Sequence, residues 1–307
     1  MPELPEVHTT VSGINRFLRG LVIKDVWTNY FSAHYKGKNE IKNPVYFKKF
    51  AEDVVGGKIL QARRRGKNIL IDLSNGNTIL IHMKMTGHLL YGQYKRLSKT
   101  KEGAVWEAPA DPLLKDSFNQ FIHLVFILSN GKHLVLSDVR RFAKVCVFPT
   151  KEIGKQKELA QLGPEPLEKT FSLNVFKGRL KKKKGPIKKI LMDQSVIAGI
   201  GNIYSDEILW RSAVHPLWET STLSETSLSR IFTALKTVLK KGIDLGGDSM
   251  SDYRDIEGKR GKFQETHKAY RNTGKACEKK GCRGKIVRII VNGRSTHFCP
   301  EHQKGLN

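Results

Sequence analysis

Acidic residues, cysteines and long apolar runs are all scarce in this chain. Of its 307 residues, 29 are Asp or Glu against 54 Lys or Arg, so the formal net charge is +25 and the pI about 9.9. This deficit of negative charge exceeds what solubility requires and favours a polyanionic partner, most often nucleic acid. A basic surface without a partner is the alternative.

No apolar run approaches the roughly 20 residues of a membrane-spanning helix, so we expect no membrane association. The four cysteines lack the pattern of a disulfide framework, which favours a reducing cytoplasm. Cys146 stands alone in an apolar strand pattern and is interpreted as a core residue. A hydrophobic content of 39% excludes general disorder, and the length allows two or more domains with their own cores.

The opening residues, Pro2-Glu3-Leu4-Pro5-Glu6, allow two interpretations. If Met1 is removed, the second residue becomes an N-terminal secondary amine beside carboxylates. Such an amine attacks an aldehyde-type carbon to give a permanently cationic iminium, which is a strong electron sink for the next bond cleavage. The other interpretation is helix chemistry alone, with proline in a first turn and acidic residues near the positive end of the helix dipole.

Apolar periodicity and turn residues predict an α+β multidomain fold. An amphipathic helix follows the opening residues, and Asn-Gly pairs between apolar strands mark two hairpins. These elements predict an N-terminal β-sandwich, followed by a mainly helical domain and a cysteine-bearing C-terminal segment. The predicted domains are residues 1–150, 151–262 and 263–307.

Two segments interrupt this pattern. Residues 95–118 are polar, charged and contain proline, so we interpret them as a long surface excursion. Residues 246–262 are rich in Gly, Asp, Arg and Lys with little apolar content, which predicts a mobile loop.

Three cysteines and a histidine near the C terminus have the spacing of a metal site. Cys277 and Cys282 precede a predicted β-hairpin, and Cys299 and His302 follow it. Paired soft ligands around a hairpin are typical of tetrahedral zinc, and four protein ligands close the site. We therefore expect one structural Zn²⁺ ion. For His302, the alternative is an ordinary histidine near the C terminus.

A glycine-rich turn at residues 199–202 lies between two helical patterns. Its glycines allow a tight turn, and Asn202 is predicted to cap the following helix, whose amide groups would bind phosphate. Lys183 and Lys188 belong to a basic run upstream that extends a predicted nucleic-acid surface. A plain turn and a solvated cationic face are the alternatives.

The Pro-Glu opening, the Gly-Ile-Gly-Asn-Ile-Tyr turn and the cysteine finger occur together and in order. In this combination the chain resembles the formamidopyrimidine-DNA glycosylase family, which includes endonuclease VIII, and the resemblance spans essentially the whole chain. It implies a β-sandwich with an N-terminal helix, a helix–two-turn–helix domain and a β-hairpin zinc finger, with DNA bound between the lobes. The family excises oxidised bases and then nicks the abasic strand.

By position, the resemblance assigns four catalytic residues. Pro2 is the nucleophile that attacks C1′ of the damaged nucleotide, and Glu3 is the general acid that helps to open the sugar. Lys67 matches a hairpin lysine assigned to proton transfer in β-elimination, and Arg294 matches a finger arginine assigned to phosphate binding and δ-elimination. Glu6 is expected to support this catalytic site and to belong to the DNA-binding residues. Without the resemblance, Lys67 and Arg294 would be ordinary exposed cations.

The resemblance also assigns residues that compensate for a base flipped out of the duplex, which loses its stacking. Met85 and Phe142 are expected to wedge into the stack, and Arg140 to contact the orphaned base. The alternative for Met85 and Phe142 is a core position at a strand end. Further phosphate contacts are assigned to Asn202, Lys183 and Lys188.

The sequence departs from the family pattern at a few positions. Val139 and Ala143 replace the usual Pro and Gly of the second loop, and Lys84 replaces a small residue before Met85. The finger has a longer first spacing and His302 in place of a fourth cysteine, which leaves the identity of that ligand open.

These observations predict a bifunctional DNA glycosylase and abasic-site lyase of base excision repair. It would act on oxidised purines such as 8-oxoguanine and formamidopyrimidines in double-stranded DNA, as a monomer in the cytoplasm or nucleoid. A same-fold enzyme that prefers oxidised pyrimidines is one alternative. A non-catalytic zinc protein that binds DNA lesions and a basic RNA-binding protein are the others.

Overall fold

The computed structural model describes residues 1–100, 103–108, 110–181 and 183–304. The chain forms two compact units, Met1–Leu159 with Gly246–Lys262, and Ala160–Leu245 with Phe263–Asn307. The domain boundaries predicted at residues 150 and 262 stay a prediction. The two units differ from the predicted domains in one respect: residues 246–262 belong to the unit of Met1–Leu159 and not to the unit of the helices that precede them.

The first unit contains two helices and ten strands among its described residues. The helices are α1 (Leu4–Phe17) and α2 (Pro44–Val54), and the strands are β1 (Ile23–Thr28), β2 (Ile59–Arg65), β3 (Asn68–Leu73), β4 (Asn77–His82), β5 (His88–Gly92), β6 (Lys95–Thr100), β7 (Gly103–Glu107), β8 (Ile122–Leu128), β9 (His133–Ser137) and β10 (Lys144–Pro149).

Two four-stranded antiparallel sheets share one core. Their strand orders are β1-β8-β9-β5 and β10-β4-β3-β2. Ile71 and Ile79 of one sheet, Phe126 and Leu136 of the other and Ile14 of α1 are at most 1% exposed and belong to the same apolar cluster. Facing sheets that bury alternate residues form a sandwich, so the predicted N-terminal β-sandwich with its helix is confirmed.

Strand β8 is apolar on both of its faces, which explains why its sheet is covered on both sides. Leu124 and Phe126 point to the core shared with α1, whereas Val125 belongs to a second apolar cluster on the opposite face. Trp106 and Leu114, from the segment predicted as a polar surface excursion, complete that second cluster.

The excursion is therefore more than a surface loop. It forms the β6–β7 hairpin and the 3₁₀ turn Ser117–Gln120, and part of it buries apolar side chains against the sheet. Burial of an aromatic residue such as Trp106 removes a large apolar area from water. Residues 101, 102 and 109 of the predicted excursion lie outside the described residues.

The segment 246–262 also differs from the mobile loop that its composition predicts. Tyr253 and Ile256 are at most 5% exposed, and Ile256 belongs to the core of the sandwich. The backbone N–H of Tyr91 donates to the Ile256 carbonyl at 2.7 Å. Two apolar side chains thus attach an otherwise polar segment to the first unit.

The second unit is helical with a C-terminal hairpin, as predicted. The short helix α3 (Lys157–Ala160) spans the division, and the further elements are α4 (Leu173–Lys181), α5 (Ile187–Met192), α6 (Asn202–Ser212), α7 (Glu225–Asp244), β11 (Val287–Val291) and β12 (Arg294–Phe298). Shorter 3₁₀ segments in the chain are Ala33–Tyr35, Thr150–Lys155, Thr220–Thr222 and Phe263–Thr266.

Helix α7 buries one apolar stripe in the interior of the second unit. Leu228, Ile231, Leu235 and Leu239 recur at helical spacing and are at most 5% exposed, so one stripe of the helix is buried. Among the described residues, no helix combines the length and apolar character needed to cross a membrane.

Candidate functional site

The start of α1 fixes the residues predicted to be nucleophile and general acid. The Glu3 backbone N–H donates to Oε2 of Glu6 at 2.6 Å, an arrangement that belongs to a capping box. Pro2 is buried and Glu3 is 2% exposed, whereas Met1 is 42% exposed. The helix N terminus therefore holds the Pro2-Glu3 pair in one place, with Met1 accessible beside it.

Glu6 connects this pair to the segment 246–262. Its Oε1 accepts from the backbone N–H of Asp248 at 2.7 Å, and its carbonyl accepts from the Tyr253 hydroxyl at 3.0 Å. Burial raises the pKa of Tyr253, so its hydroxyl stays a donor. A Cβ at Gly247, where φ is +86°, would lie 2.9 Å from Glu6 Oε1. Both carboxylate oxygens of Glu6 thus accept hydrogen bonds from protein backbone, and its place among the DNA-contacting residues stays a prediction.

Lys67 occupies the turn between β2 and β3 and is 6% exposed. His82 pairs with Asn68, the residue after this lysine. Burial, together with the positive charges of Lys84 and Lys67, lowers the pKa of His82 to about 3. The imidazole is therefore neutral at physiological pH, and its Nδ1 accepts from the Lys84 backbone N–H at 3.0 Å.

Asp138 joins the two loops predicted to enter the base stack. Its side chain is fully buried and accepts hydrogen bonds from the hydroxyls of Tyr30 and Thr86 and, at 2.8 Å, from the Ala143 N–H. Thr86 in turn accepts from the backbone N–H of Arg140 at 3.0 Å. Burial and the neighbouring carboxylate raise the pKa of Tyr30, so its hydroxyl remains protonated. One carboxylate thus fixes the loop of Met85 against the loop of Arg140.

The tips of these loops present apolar and cationic groups outside the core. Phe142 is 48% exposed, and the Arg140 guanidinium lies over its ring, 4.7 Å from the centroid. Met85 is half-buried. Phe142 is therefore not the strand-end core residue of the alternative interpretation, because nearly half of its side chain is exposed.

In the second unit, Gln194 holds the glycine-rich turn before α6. Its amide accepts from the Gly199 N–H at 2.8 Å and donates to the Ile200 carbonyl at 2.7 Å. Gly201 is the N-cap of α6, so the prediction that Asn202 caps this helix is wrong. Asn202 is the first helical residue, and its Oδ1 is buried without a partner among the residues described.

Lys188 lies in a buried network and not on a basic surface. It is 1% exposed, and its Nζ donates to Asp206 at 2.5 Å and to the Ser295 carbonyl at 3.0 Å. Asp206 also accepts from the His297 backbone N–H at 2.9 Å. This burial does not support the predicted phosphate contact of Lys188. Lys183 pairs with Asp193 at 3.3 Å and is about one third exposed.

The network positions the hairpin that carries Arg294. Asp206 of α6 and Lys188 of α5 both bind backbone atoms of β12. Arg294 begins that strand after the turn of Asn292 and Gly293, whose φ values are 49° and 71°, and its side chain is exposed. Positive φ at both residues is typical of a two-residue hairpin turn.

The predicted metal ligands come together at the base of the same hairpin. One ligand atom from each of Cys277, Cys282, Cys299 and His302 lies within 4.8 Å of all the others. His302 Nδ1 is 3.2 Å from Cys277 Sγ, and its Nε2 is 2.9 Å from the Trp210 carbonyl. A proton donated to that carbonyl leaves Nδ1 as the free ligand atom. The four side chains form a closed group that could hold one metal ion.

Sequence reasoning missed the residues that position the others. Asp138 directly follows an apolar strand, so a lone acidic residue at a core position was the available signal there. Asp206 stands between Ser205 and Glu207, and the local sequence gave no such signal for it. No local pattern indicated Tyr30, which meets Asp138 across 108 residues of sequence.

Comparison with known proteins agrees with this arrangement over the whole chain. The family signatures described as formamidopyrimidine-DNA glycosylase N-terminal domain and formamidopyrimidine-DNA glycosylase H2TH domain match residues 1–145 and 162–254. A curated relative from Cereibacter sphaeroides, named formamidopyrimidine-DNA glycosylase, is 35% identical over 305 residues, covering 99% of this chain and 100% of the relative.

Solved structures give the same result. A Lactococcus lactis Fpg mutant bound to DNA that contains Fapy-dG has a TM-score of 0.82 at 29% identity, over 99% of this chain and 100% of that one. The wild-type Lactococcus lactis protein bound to DNA with an oxidised pyrimidine has a TM-score of 0.80 at 28% identity, with the same coverage. The chain belongs to the formamidopyrimidine-DNA glycosylase family.

Proposed function

We propose that this chain, a DNA glycosylase of base excision repair by its family, excises oxidised purines from double-stranded DNA and nicks the resulting abasic strand through Pro2. The observation that carries the proposal is the Pro2-Glu3 pair, held at the start of α1 by Glu6 and adjoining an exposed Met1. Removal of Met1 is part of the proposal, because the proline nitrogen is otherwise an amide nitrogen, whose lone pair is delocalised into the carbonyl group and is not nucleophilic.

The chemistry follows from a secondary amine and a nearby carboxyl group. The Pro2 nitrogen forms a bond to C1′ while the damaged base leaves with the glycosidic electron pair, and Glu3 supplies a proton that helps to open the sugar. The product is an iminium without an N–H, which stays cationic and acidifies the C2′ hydrogen. Loss of that proton expels the 3′ phosphate in β-elimination, and a second elimination expels the 5′ phosphate.

Lys67 and Arg294 are the groups proposed to assist these eliminations. Lys67 belongs to the same unit as Pro2 and is 6% exposed, so burial favours its use in proton transfer over simple solvation. Arg294 stands exposed at the tip of the C-terminal hairpin, where a planar guanidinium suits a phosphate.

Recognition of the lesion is assigned to the loops joined by Asp138. Met85 and Phe142 are proposed to fill the space of the extruded nucleotide, and Arg140 to contact the base left unpaired. The support is the exposure of Phe142 and its contact with Arg140. Further phosphate contacts of Lys183 and Asn202 remain predictions.

We also propose that Cys277, Cys282, Cys299 and His302 bind one structural Zn²⁺ ion. Three sulfur atoms and one nitrogen suit tetrahedral zinc, and four protein ligands leave no position for substrate. A Cβ at Gly284 would lie 2.7 Å from Cys299 Sγ, so the glycine keeps space beside the sulfur atoms. When bound, the ion would cross-link the base of the hairpin whose tip carries Arg294.

Borohydride trapping on duplex DNA containing 8-oxoguanine tests the nucleophile. A covalent adduct is expected from the native chain, and none from Pro2→Gly or from a chain with an uncleaved N-terminal extension. Pro5→Ala, which alters the other proline of the same first turn, should keep the adduct. An adduct that survives both changes at the N terminus would refute Pro2 as nucleophile.

The same fold with a preference for oxidised pyrimidines is the second candidate, because one structural relative is bound to DNA with an oxidised pyrimidine. Excision rates across duplexes with defined purine and pyrimidine lesions separate the two. Failure to nick preformed abasic DNA would instead favour a non-catalytic lesion-binding protein.

A further inference from the structure

The brace, defined here as residues 111–120, ends the excursion and includes the 3₁₀ turn Ser117–Gln120. None of its residues carries out a step of the proposed chemistry. Leu114 packs it against the sheet in the second apolar cluster. Asn119 is fully buried, and its Nδ2 donates to the Leu113 carbonyl at 2.8 Å. The brace is therefore a packed part of the first unit.

A buried ion pair links the brace to segment 246–262. Arg254 is 4% exposed, and its guanidinium donates to both carboxylate oxygens of Asp116, from Nη2 at 2.9 and 3.2 Å and from Nε at 3.1 Å. Its Nη1 donates to two backbone carbonyls of its own segment, both at 2.9 Å. The guanidinium also lies 5.2 Å from the centroid of the Phe118 ring. A charge buried to this extent is stable only with such partners, so the pair holds the segment against the brace.

A close backbone contact supports the same junction. Gly258 has a φ of +83°, and a Cβ at this position would lie 2.9 Å from the Leu113 carbonyl oxygen. Glycine alone suits this conformation and this approach of the segment to the brace. The Tyr91 backbone N–H donates to the carbonyl of Ile256 at 2.7 Å. The segment is thus held at Arg254, Ile256 and Gly258, three alternate residues.

The same segment contacts Glu6 over its preceding residues. The Asp248 backbone N–H donates to Glu6 Oε1 at 2.7 Å, and the Tyr253 hydroxyl donates to the Glu6 carbonyl at 3.0 Å. Tyr253 is 5% exposed and directly precedes Arg254 in the chain. A displacement of Arg254 therefore also displaces a residue that binds Glu6.

We propose that Arg254 and Asp116 are positioning residues whose ion pair holds segment 246–262 against Glu6. Through Glu6, the pair keeps Pro2 in place for attack on C1′, so the inference rests on the proposed function. Pro2 forms its bond to C1′ both in excision and in the nicking of a ready-made abasic site. Loss of the ion pair should therefore slow both reactions.

Hydrogen exchange of the full-length chain without DNA tests the link independently of activity. Arg254→Met loses the charge but keeps an apolar side chain of similar length, and the Asp248 N–H should exchange about tenfold faster in this variant. Arg63→Met is the matched control, because Arg63 forms a two-bond ion pair with Asp72, at 2.7 Å for each bond, in the same unit. It should leave exchange at Asp248 unchanged.

Borohydride trapping on an abasic duplex under single-turnover conditions tests the positioning role. Arg254→Met should form the covalent adduct about tenfold more slowly, with a duplex Kd within about twofold of the native value. Arg254→Lys keeps the charge without the planar fork and should recover part of the rate, to within about threefold. Asp116→Asn should slow trapping in the native chain and have no further effect in Arg254→Met, because either change breaks the same pair.

Unchanged exchange at Asp248 in Arg254→Met would overturn the proposal. Faster exchange with a native trapping rate would also overturn it, since the pair would then only stabilise the segment. Additive effects of the two substitutions would show that Arg254 and Asp116 do not act through each other. If Arg254→Met fails to fold, Asp116→Asn gives the same two measurements. If the native chain forms no adduct, the proposed function fails, and the exchange experiment still decides whether the ion pair holds the segment against Glu6.

Discussion

A Thr86→Val substitution is expected to slow excision of a damaged base about 30-fold while nearly preserving the nicking of a preformed abasic site. Valine keeps the volume of threonine and loses only the hydroxyl. That hydroxyl donates to the buried Asp138 carboxylate and accepts from the Arg140 backbone N–H at 3.0 Å. It is thus the link between the loop of Met85 and the loop that carries Arg140 and Phe142.

The size of the effect follows from these two hydrogen bonds. A hydrogen bond to a charged group contributes roughly 1.5–3 kcal/mol, and the Arg140 N–H loses its acceptor as well. Partial exposure of the Arg140 backbone lets water compensate, so we take about 2 kcal/mol for the link between the loops. If that free energy is needed to order the loops in the DNA complex, excision slows about 30-fold, since each 1.36 kcal/mol is tenfold.

Single-turnover assays on two duplexes measure the effect. One duplex contains 8-oxoguanine, whose excision requires the loops to replace a flipped base, and the other contains a ready-made abasic site, which needs less compensation. Thr78→Val is the matched control, because Thr78 is a fully buried threonine that donates to Asp72 at 2.9 Å within the other sheet. It should lower stability without separating the two rates. Equal loss of both activities in Thr86→Val, or normal excision, would refute the positioning role.

Three further predictions concern pH, metal and product ends. The pKa of His82 is lowered to about 3 from its ordinary 6.5, so between these two values the imidazole takes up a proton only in the unfolded chain. The contribution of His82 to the free energy of unfolding is therefore complete above pH 6.5 and is lost as the pH falls toward 3. In His82→Asn, the free energy of unfolding should depend less on pH across this range. Cys277→Ser should release one Zn²⁺ per chain, measured by mass spectrometry, and abolish duplex binding, whereas His302→Cys should retain both. Lys67→Ala should slow β-elimination, whereas Arg294→Ala should leave the β-elimination product uncut at the 5′ phosphate. Sequencing gels distinguish the two product ends. Identical product ends from both variants would contradict the assignment of Lys67 to β-elimination and Arg294 to δ-elimination.

Much of the architecture followed from local patterns. The two Asn-Gly turns between apolar strand stretches predicted the sandwich, because a hairpin is specified by a few neighbouring residues. The cysteine spacing predicted the ligand cluster, since a hairpin returns its two ends to the same place. The excursion was harder, because its apolar residues are too few to show a period and become visible only against the sheet that they cover.

Individual polar residues were predicted less well than elements. Asn202 has the chemistry of a cap, yet Gly201 takes the N-cap position, since cap placement depends on backbone angles that the residue type alone does not fix. Lys188 belongs to a basic run, yet Asp206 draws it into the interior. A lysine can be buried only with a partner, and this partner lies 18 residues away in another helix.

The residue order alone thus determined the chemistry at the N terminus, the Asn-Gly hairpins and the ligand spacing of the finger, because these features depend on neighbours along the chain. Tertiary structure decided which polar groups leave water together: Asp138 with Tyr30 and Thr86, and Glu6 with the backbone of residue 248. Desolvation is a property of the three-dimensional neighbourhood, and so the residues that hold the candidate site in position became visible only in the folded chain.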